Sequence, residues 1–310
     1  MNNSSWFEDL PVLGQLPPAE VIARLREVGE DEAANEIEEG EKLESTQTFG
    51  TGKTFFWPFQ DKPWQHTSHT FGYLGPVAPG TALQPVRYAG NIEAQPDLKN
   101  SRIKITLDRL RVKAYPGGGM HRVLFDFYAQ NQAAGKTEDL HFNLTCRVRE
   151  GEQAAILGYP IFVGLNVGSE GVSFKGYSVN VKNDQDEAFL GFLDSDTFKG
   201  GLKLAAVVQP ALEPLSQLAL GLTRSIASRN KNVPVQDFYM GLDFSNIATR
   251  ARLAEGSYLA VQIPESLGTV WDWSEWVYNP NNGQIVSQAD HQETIPYNYL
   301  VFSISRYEGA

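Results

Sequence analysis

Between Arg102 and Val148 the chain alternates apolar and polar residues so regularly that it has to build a sheet. Ile103, Ile105 and Leu107 fall on one face, and Arg102, Lys104 and Thr106 on the other, the period of a half-buried strand. After Asp108 and Arg109 the apolar set moves by one position to Leu110, Val112 and Ala114, which predicts a bulge at Asp108–Arg109. Pro116 and the three glycines at 117–119 follow as a turn. It reads as the flexible end of a hairpin; its backbone amides are an alternative cradle for an anion. The next strand sets Val123, Phe125 and Phe127 against Leu124, Asp126 and Tyr128. Apolar side chains on both faces predict an inner strand covered on both sides. A polar connection then leads to Phe142, Leu144, Cys146 and Val148, alternating with His141, Asn143, Thr145 and Arg147.

Further strands are expected over Ala155–Val167, over Val172–Val181 with a phase slip near Gly176, and in the last quarter at 238–244, 257–263, 269–278 and 295–305. Asn282-Gly283 marks a hairpin turn. Two regions are helical instead. Pro17 and Pro18 open a segment with Val21, Ile22, Leu25 and Val28 at helical spacing, stopped by Gly29 and followed by a second short piece over Glu30–Ile37. Residues 209–229 carry Leu215, Leu218, Ala219, Leu222 and Ile226 at helical spacing, with Leu220 widening the row and Gly221 suggesting close packing. Trp6, Phe7, Leu10 and Leu13 are docking points in an extended lead-in. The fold class expected is mainly β: an antiparallel β-sandwich with the 209–229 helix packed on it and a short N-terminal helical segment. The expected division is 1–45 as a helical arm and 46–310 as a single β-sandwich-type domain with an inserted helix.

Charge narrows the partners. A formal net charge of −11, from 26 basic and 37 acidic side chains, disfavours nucleic acid and anionic membranes as the main partner. No apolar run approaches the ~20 residues that span a bilayer, and the first residues lack the basic and apolar regions of a secretory leader. The expectation is a cytoplasmic protein without a transmembrane segment. The single cysteine, Cys146, reads as a small buried hydrophobe.

Chemistry-bearing residues are scattered. Neither Gly-x-Ser-x-Gly nor His-Glu-x-x-His occurs. Neighbouring strands carry His121, Asp126 and His141, which folding could gather for a hydrolase or another enzyme, although the alternation is read as placing them on polar, solvated faces. Trp271, Trp273 and Trp276 fall within one expected strand; exposed, they would be a stacking platform for a sugar or a contact for a protein, and buried they are core. Gly50-Thr51-Gly52-Lys53-Thr54 lacks the first glycine of a phosphate loop, Gln47 standing in its place, and no helix follows. Asp184, Asp186, Asp194 and Asp196 form two Asp-x-Asp pairs. In these pairs the middle third resembles the C2 type of calcium-binding sandwich. The resemblance implies calcium held by those carboxylates in a calcium- or membrane-responsive module; the competing reading is solvated turns, and the spacing does not meet that of an EF-hand loop. Calcium apart, no cofactor is expected. The function these residues support is a non-enzymatic binding or assembly protein, with contacts through loops and an aromatic edge to another protein or to itself.

Overall fold

The computed structural model describes residues 6–46, 62–76, 83–133, 135–186, 190–191, 193, 200–205, 209, 212–245 and 251–309. The Gly50–Thr54 segment lies outside them. The first strands are β1 (Ser68–Leu74), β2 (Gln84–Pro85), β3 (Arg87–Tyr88), β4 (Arg102–Arg111), β5 (Met120–Ala133), β6 (Lys136–Arg149) and β7 (Gln153–Asn166). They continue as β8 (Gly171–Asn180), β9 (Leu202–Lys203), β10 (Val233–Asp243), β11 (Gly256–Ile263), β12 (Trp276–Asn279), β13 (Gln284–Ser287) and β14 (Tyr299–Arg306). The longer helices are α1 (Pro18–Glu27), α2 (Asp31–Thr46) and α3 (Leu212–Ala227).

The fold is mainly β, as the alternation requires. A seven-stranded sheet runs β3-β1-β11-β14-β4-β7-β9, a four-stranded sheet β10-β8-β5-β6, and a small sheet β13-β12-β2. The pairings are antiparallel except β7 with β9. The first two sheets share one apolar cluster. At its centre Phe302 of β14 meets Phe127 of β5, Phe174 of β8 and Phe238 of β10, with ring centroids 5.5, 5.1 and 5.8 Å apart. Tilted and edge-on pairs of this kind add about 0.5–1.5 kcal/mol each beyond the area they bury. β5 is an inner strand, with Val123, Phe125 and Phe127 on the inter-sheet side.

The bulge falls at its expected place. Leu107 pairs with Phe302 and Arg109 with Val301, leaving Asp108 as the extra residue. On the other side Leu107 pairs with Tyr159 and Arg109 with Ala155, so Asp108 stands opposite residues 156–158. Leu107 and Leu110 are both turned into the core. The two residues between them are left together on the outer face, where a regular strand would separate them.

The glycine turn does not close a hairpin. β4 and β5 belong to different sheets, so residues 112–119 cross from one to the other; the hairpin is β5–β6, closing at Ala133–Lys136. Gly117 and Gly119 hold φ of 86° and 77°, a region closed to most side chains. The amides of Gly117 and Gly118 donate to Glu30 Oε1 at 2.8 and 3.1 Å, and the carbonyls of Gly118 and Met120 accept from Lys182 Nζ at 2.8 and 3.1 Å. The anion cradle is thus filled by the chain's own carboxylate.

β8 has no slip at Gly176, because its pairing with β5 runs on from Phe127–Gly176 to Asp126–Tyr177. The change of phase in the sequence has another cause. Val172 and Phe174 face the inter-sheet core, while Tyr177 and Val179 on the opposite face are covered by a second cluster. That cluster includes Trp6 and Phe7 of the lead-in and Leu220 and Ile226 of α3. α1 begins at Pro18 and ends at Glu27, with Val28 as its C-cap and Gly29 just beyond at φ of 79°. Its Val21, Ile22 and Leu25, with Ala34 and Ile37 of α2, join the main inter-sheet cluster.

α3 lies on the four-stranded sheet by only part of the expected face: Ala219, Leu220 and Ile226 turn in, while Leu215 and Leu218 do not. Leu212, Ser216, Ala219, Leu220, Thr223 and Ile226 are buried, whereas Leu215 and Leu218 are 53% and 59% exposed. Among the described residues nothing lies within 4 Å of where a Cβ would stand at Gly221, so that glycine serves no close approach to them. The 269–278 segment is also not one strand. Asp272 accepts from the Ser274 amide at 2.8 Å and caps a 3-10 turn over Trp273–Glu275, and a strand begins only at Trp276.

Candidate functional site

Asp126 and His141 meet, on the side of the four-stranded sheet that α3 covers. The β5–β6 register pairs Asp126 with Asn143 and Tyr128 with His141, which puts the two side chains on one face, diagonally adjacent. His141 Nδ1 lies 2.7 Å from Asp126 Oδ1. Asp126 Oδ2 accepts from Asn143 Nδ2 at 3.0 Å and from Thr223 Oγ1 at 3.1 Å, and Asn143 Nδ2 also lies 2.9 Å from Thr223 Oγ1. One helical repeat earlier, Ser216 Oγ accepts from the His141 amide at 2.7 Å and donates to the Asp139 carbonyl at 3.0 Å. α3 therefore meets the sheet through two hydroxyls seven residues apart, both buried. That polar seam explains its rotation. A leucine row laid there would take the Thr223 hydroxyl from Asp126 and Asn143 and the Ser216 acceptor from the His141 amide, and a buried polar group left without its partner costs about 1–3 kcal/mol.

The expected solvated faces are corrected here. Asp126 is 0% and His141 4% exposed, because α3 and the lead-in cover them. Trp6 stacks on the His141 ring at 6.1 Å and Phe7 meets it edge-on at 6.2 Å. The pair has the spacing of a catalytic dyad, but a general base must reach the proton it takes from a substrate. Here the carboxylate's hydrogen bonds go to the helix and the neighbouring strand, so the group acts as a clip between them.

His121 does not join the pair. It shares the parity of Val123 and Phe125, so it faces the inter-sheet core and is 0% exposed. Its ring stands edge-on to Tyr115 at 5.8 Å, beside Asn180, with neither nitrogen in good hydrogen-bond geometry. Burial, with the Lys182 charge nearby, pushes it down from 6.5 to about 4. Burial also pushes His69 down to about 4. Between these values the unfolded chain takes up a proton that the folded ring refuses. The contribution of His121 is therefore whole above about pH 6.5, falls as the pH drops toward about 4, and is lost below that, up to about 3 kcal/mol. Urea midpoints should fall across this window in the wild type and fall less in His121→Leu.

The tryptophans pack together and largely inward. Trp273 and Trp276 are buried between the seven-stranded and small sheets with Leu259, Val261 and Ile285. Trp271 stacks on Trp276 at 5.8 Å and meets Trp273 edge-on at 5.7 Å. Trp273 Nε1 donates to Thr70 Oγ1 at 3.2 Å. Asp186 is fully buried, and its carboxylate accepts from Arg229 Nη1 and, at 2.6 Å, from Asn232 Nδ2. Asp184 is exposed, and Asp194 and Asp196 lie outside the described residues. Among the described residues no three potential metal ligands converge, and no helix is long and apolar enough to cross a membrane.

The partners that sequence reasoning missed are Ser216 and Thr223. Their seven-residue spacing on a helix was the available signal. Comparison with known proteins gives no match: no family model, curated protein or solved structure matches this chain.

Proposed function

We propose that the chain is a non-enzymatic binding or assembly protein in which the sheets are the scaffold and the outer face of α3 is the contact. The observation that carries this reading is the orientation of α3. Leu215 and Leu218 stand more than half exposed, next to the part-buried Leu222 and the open position at Gly221. Apolar surface of this kind in one row marks an interaction face more than scattered exposed leucines do. The occupant favoured is a second copy. Pro214, Leu215, Leu218, Gly221, Leu222 and Ser225 carry no charge, so two such rows can meet across a two-fold axis without carboxylates facing each other. Elsewhere a net charge of −11 opposes contact between copies. A cytoplasmic setting suits Cys146, a buried single cysteine with no second cysteine in the chain to form a disulfide.

Light scattering over a dilution series tests this directly. The expected mass rises above the 34.4 kDa of one chain as concentration increases. A mass that stays at one chain throughout contradicts self-assembly.

A further inference from the structure

The outer face of the seven-stranded sheet gathers a second set of polar groups, remote in kind from the clip under α3. Register places Leu74 opposite Ser257, Ser257 opposite Ser303 and Ser303 opposite Thr106, with Asp108 two residues further along β4 on the same face. Ser257 Oγ and Ser303 Oγ are 2.9 Å apart, and Ser303 Oγ donates to Asp108 Oδ2. Thr106 Oγ1 donates to the other carboxylate oxygen at 3.0 Å. Arg109, brought to the same side by the bulge, donates to Gln153 Oε1 at 3.1 Å. Its guanidinium also occupies the space above Gly283, where a Cβ would fall 1.7 Å from Nη2. Asp108, Arg109 and Ser257 line a cleft of about 270 Å³ with Tyr278, against an apolar wall of Leu74, Ile285 and Val301.

We propose that this cleft binds a neutral, polyhydroxylated molecule of monosaccharide size. Three features select that class. One carboxylate and one guanidinium cancel, so a ligand with net charge would leave one charge uncompensated in a partly desolvated site. Asp108 offers only acceptors and Arg109 only donors, and a hydroxyl, being both, satisfies either; neighbouring hydroxyls on one ring satisfy both at once. Tyr278 and the apolar wall suit the C–H face of a sugar ring. The cleft lies just below the ~300–1,000 Å³ usual for ligand sites, which leaves no room for an enclosed nucleotide or long glycan. This inference does not depend on the α3 contact.

The test is saturation-transfer NMR on the full chain, with the methyl glycosides of glucose, galactose, mannose and N-acetylglucosamine as probes and glycine and glutamate as zwitterionic and anionic comparisons. At least one glycoside is expected to bind with a dissociation constant on the order of 1 mM. Asp108→Asn and Arg109→Gln should each weaken it by about tenfold or more. Ser257→Ala, which removes one hydroxyl from the wall, is the second line of test if either charge variant fails to fold. The proposal is overturned if no glycoside shows transfer, if only glycine or glutamate does, or if binding survives in every folded variant.

Discussion

Replacing Asp126 by alanine is expected to lower the folding free energy by about 3–5 kcal/mol, the range for breaking a buried charged or strongly hydrogen-bonded pair. The carboxylate is the hub for His141, Asn143 and Thr223, and all three side chains are buried. Much of the loss is the unmet partners and not the bond energy itself. Asp126→Asn keeps one acceptor but points an N–H₂ toward donors, so a smaller loss is expected. Urea unfolding of both variants measures this. A loss under about 1 kcal/mol for the alanine variant would show that the cluster does not hold α3 on the sheet.

Trp6→Ala should be of similar size, about 3–5 kcal/mol, although Trp6 stands near the start of the chain. Its ring packs on Phe7, Tyr128, His141 and Tyr177, and Nε1 donates to Asp237 Oδ1 at 3.1 Å. Lys175 Nζ sits 5.0 Å from the Trp6 ring and 5.2 Å from that of Tyr128, which adds a cation–π attraction of about 0.5–2 kcal/mol. Removing the indole also opens the lid over His141. Combined with Asp126→Asn it should depart from additivity by about 0.5–3 kcal/mol, since both changes act on one network. Denaturation of the two single variants and the double variant closes the cycle. Additive losses would mean that the lead-in and the clip are energetically separate.

The parts of this fold that could be read from the chain are those set by local period. The bulge at Asp108 is visible because a side-chain period of two cannot absorb an extra residue without turning Leu110 where Arg109 was expected. Gly29 and the Asn282-Gly283 turn are visible because few residues adopt their backbone angles. The glycine crossing at 117–119 was not separable from a hairpin end, since both need the same φ values and differ only in which sheet the next strand joins. The orientation of α3 was hidden for a related reason. Its sequence has two apolar rows, and the choice between them depends on Asp126, 97 positions from Thr223. His121 is a different case: its parity with Val123 and Phe125 points inward, and only the polarity of its side chain argues for a solvated position. Of the candidate site, the adjacency of Asp126 and His141 was legible from neighbouring strands. Its closure by Trp6 and Thr223 was not, because both come from distant segments.

In the function proposed above, α3 turns its hydroxyls to the sheet for stability and its leucines outward for contact. Leu215→Glu combined with Leu218→Glu separates the two roles, because neither side chain supports the clip. Light scattering and a thermal melt on this variant beside the wild type give the most direct reading. The expected result is a concentration-dependent mass above one chain for the wild type, and a single-chain mass for the variant, with equal melting temperatures for the two at concentrations where both are monomeric. Equal masses in the two proteins, or a variant that melts well below the wild type at concentrations where both are monomeric, would contradict it.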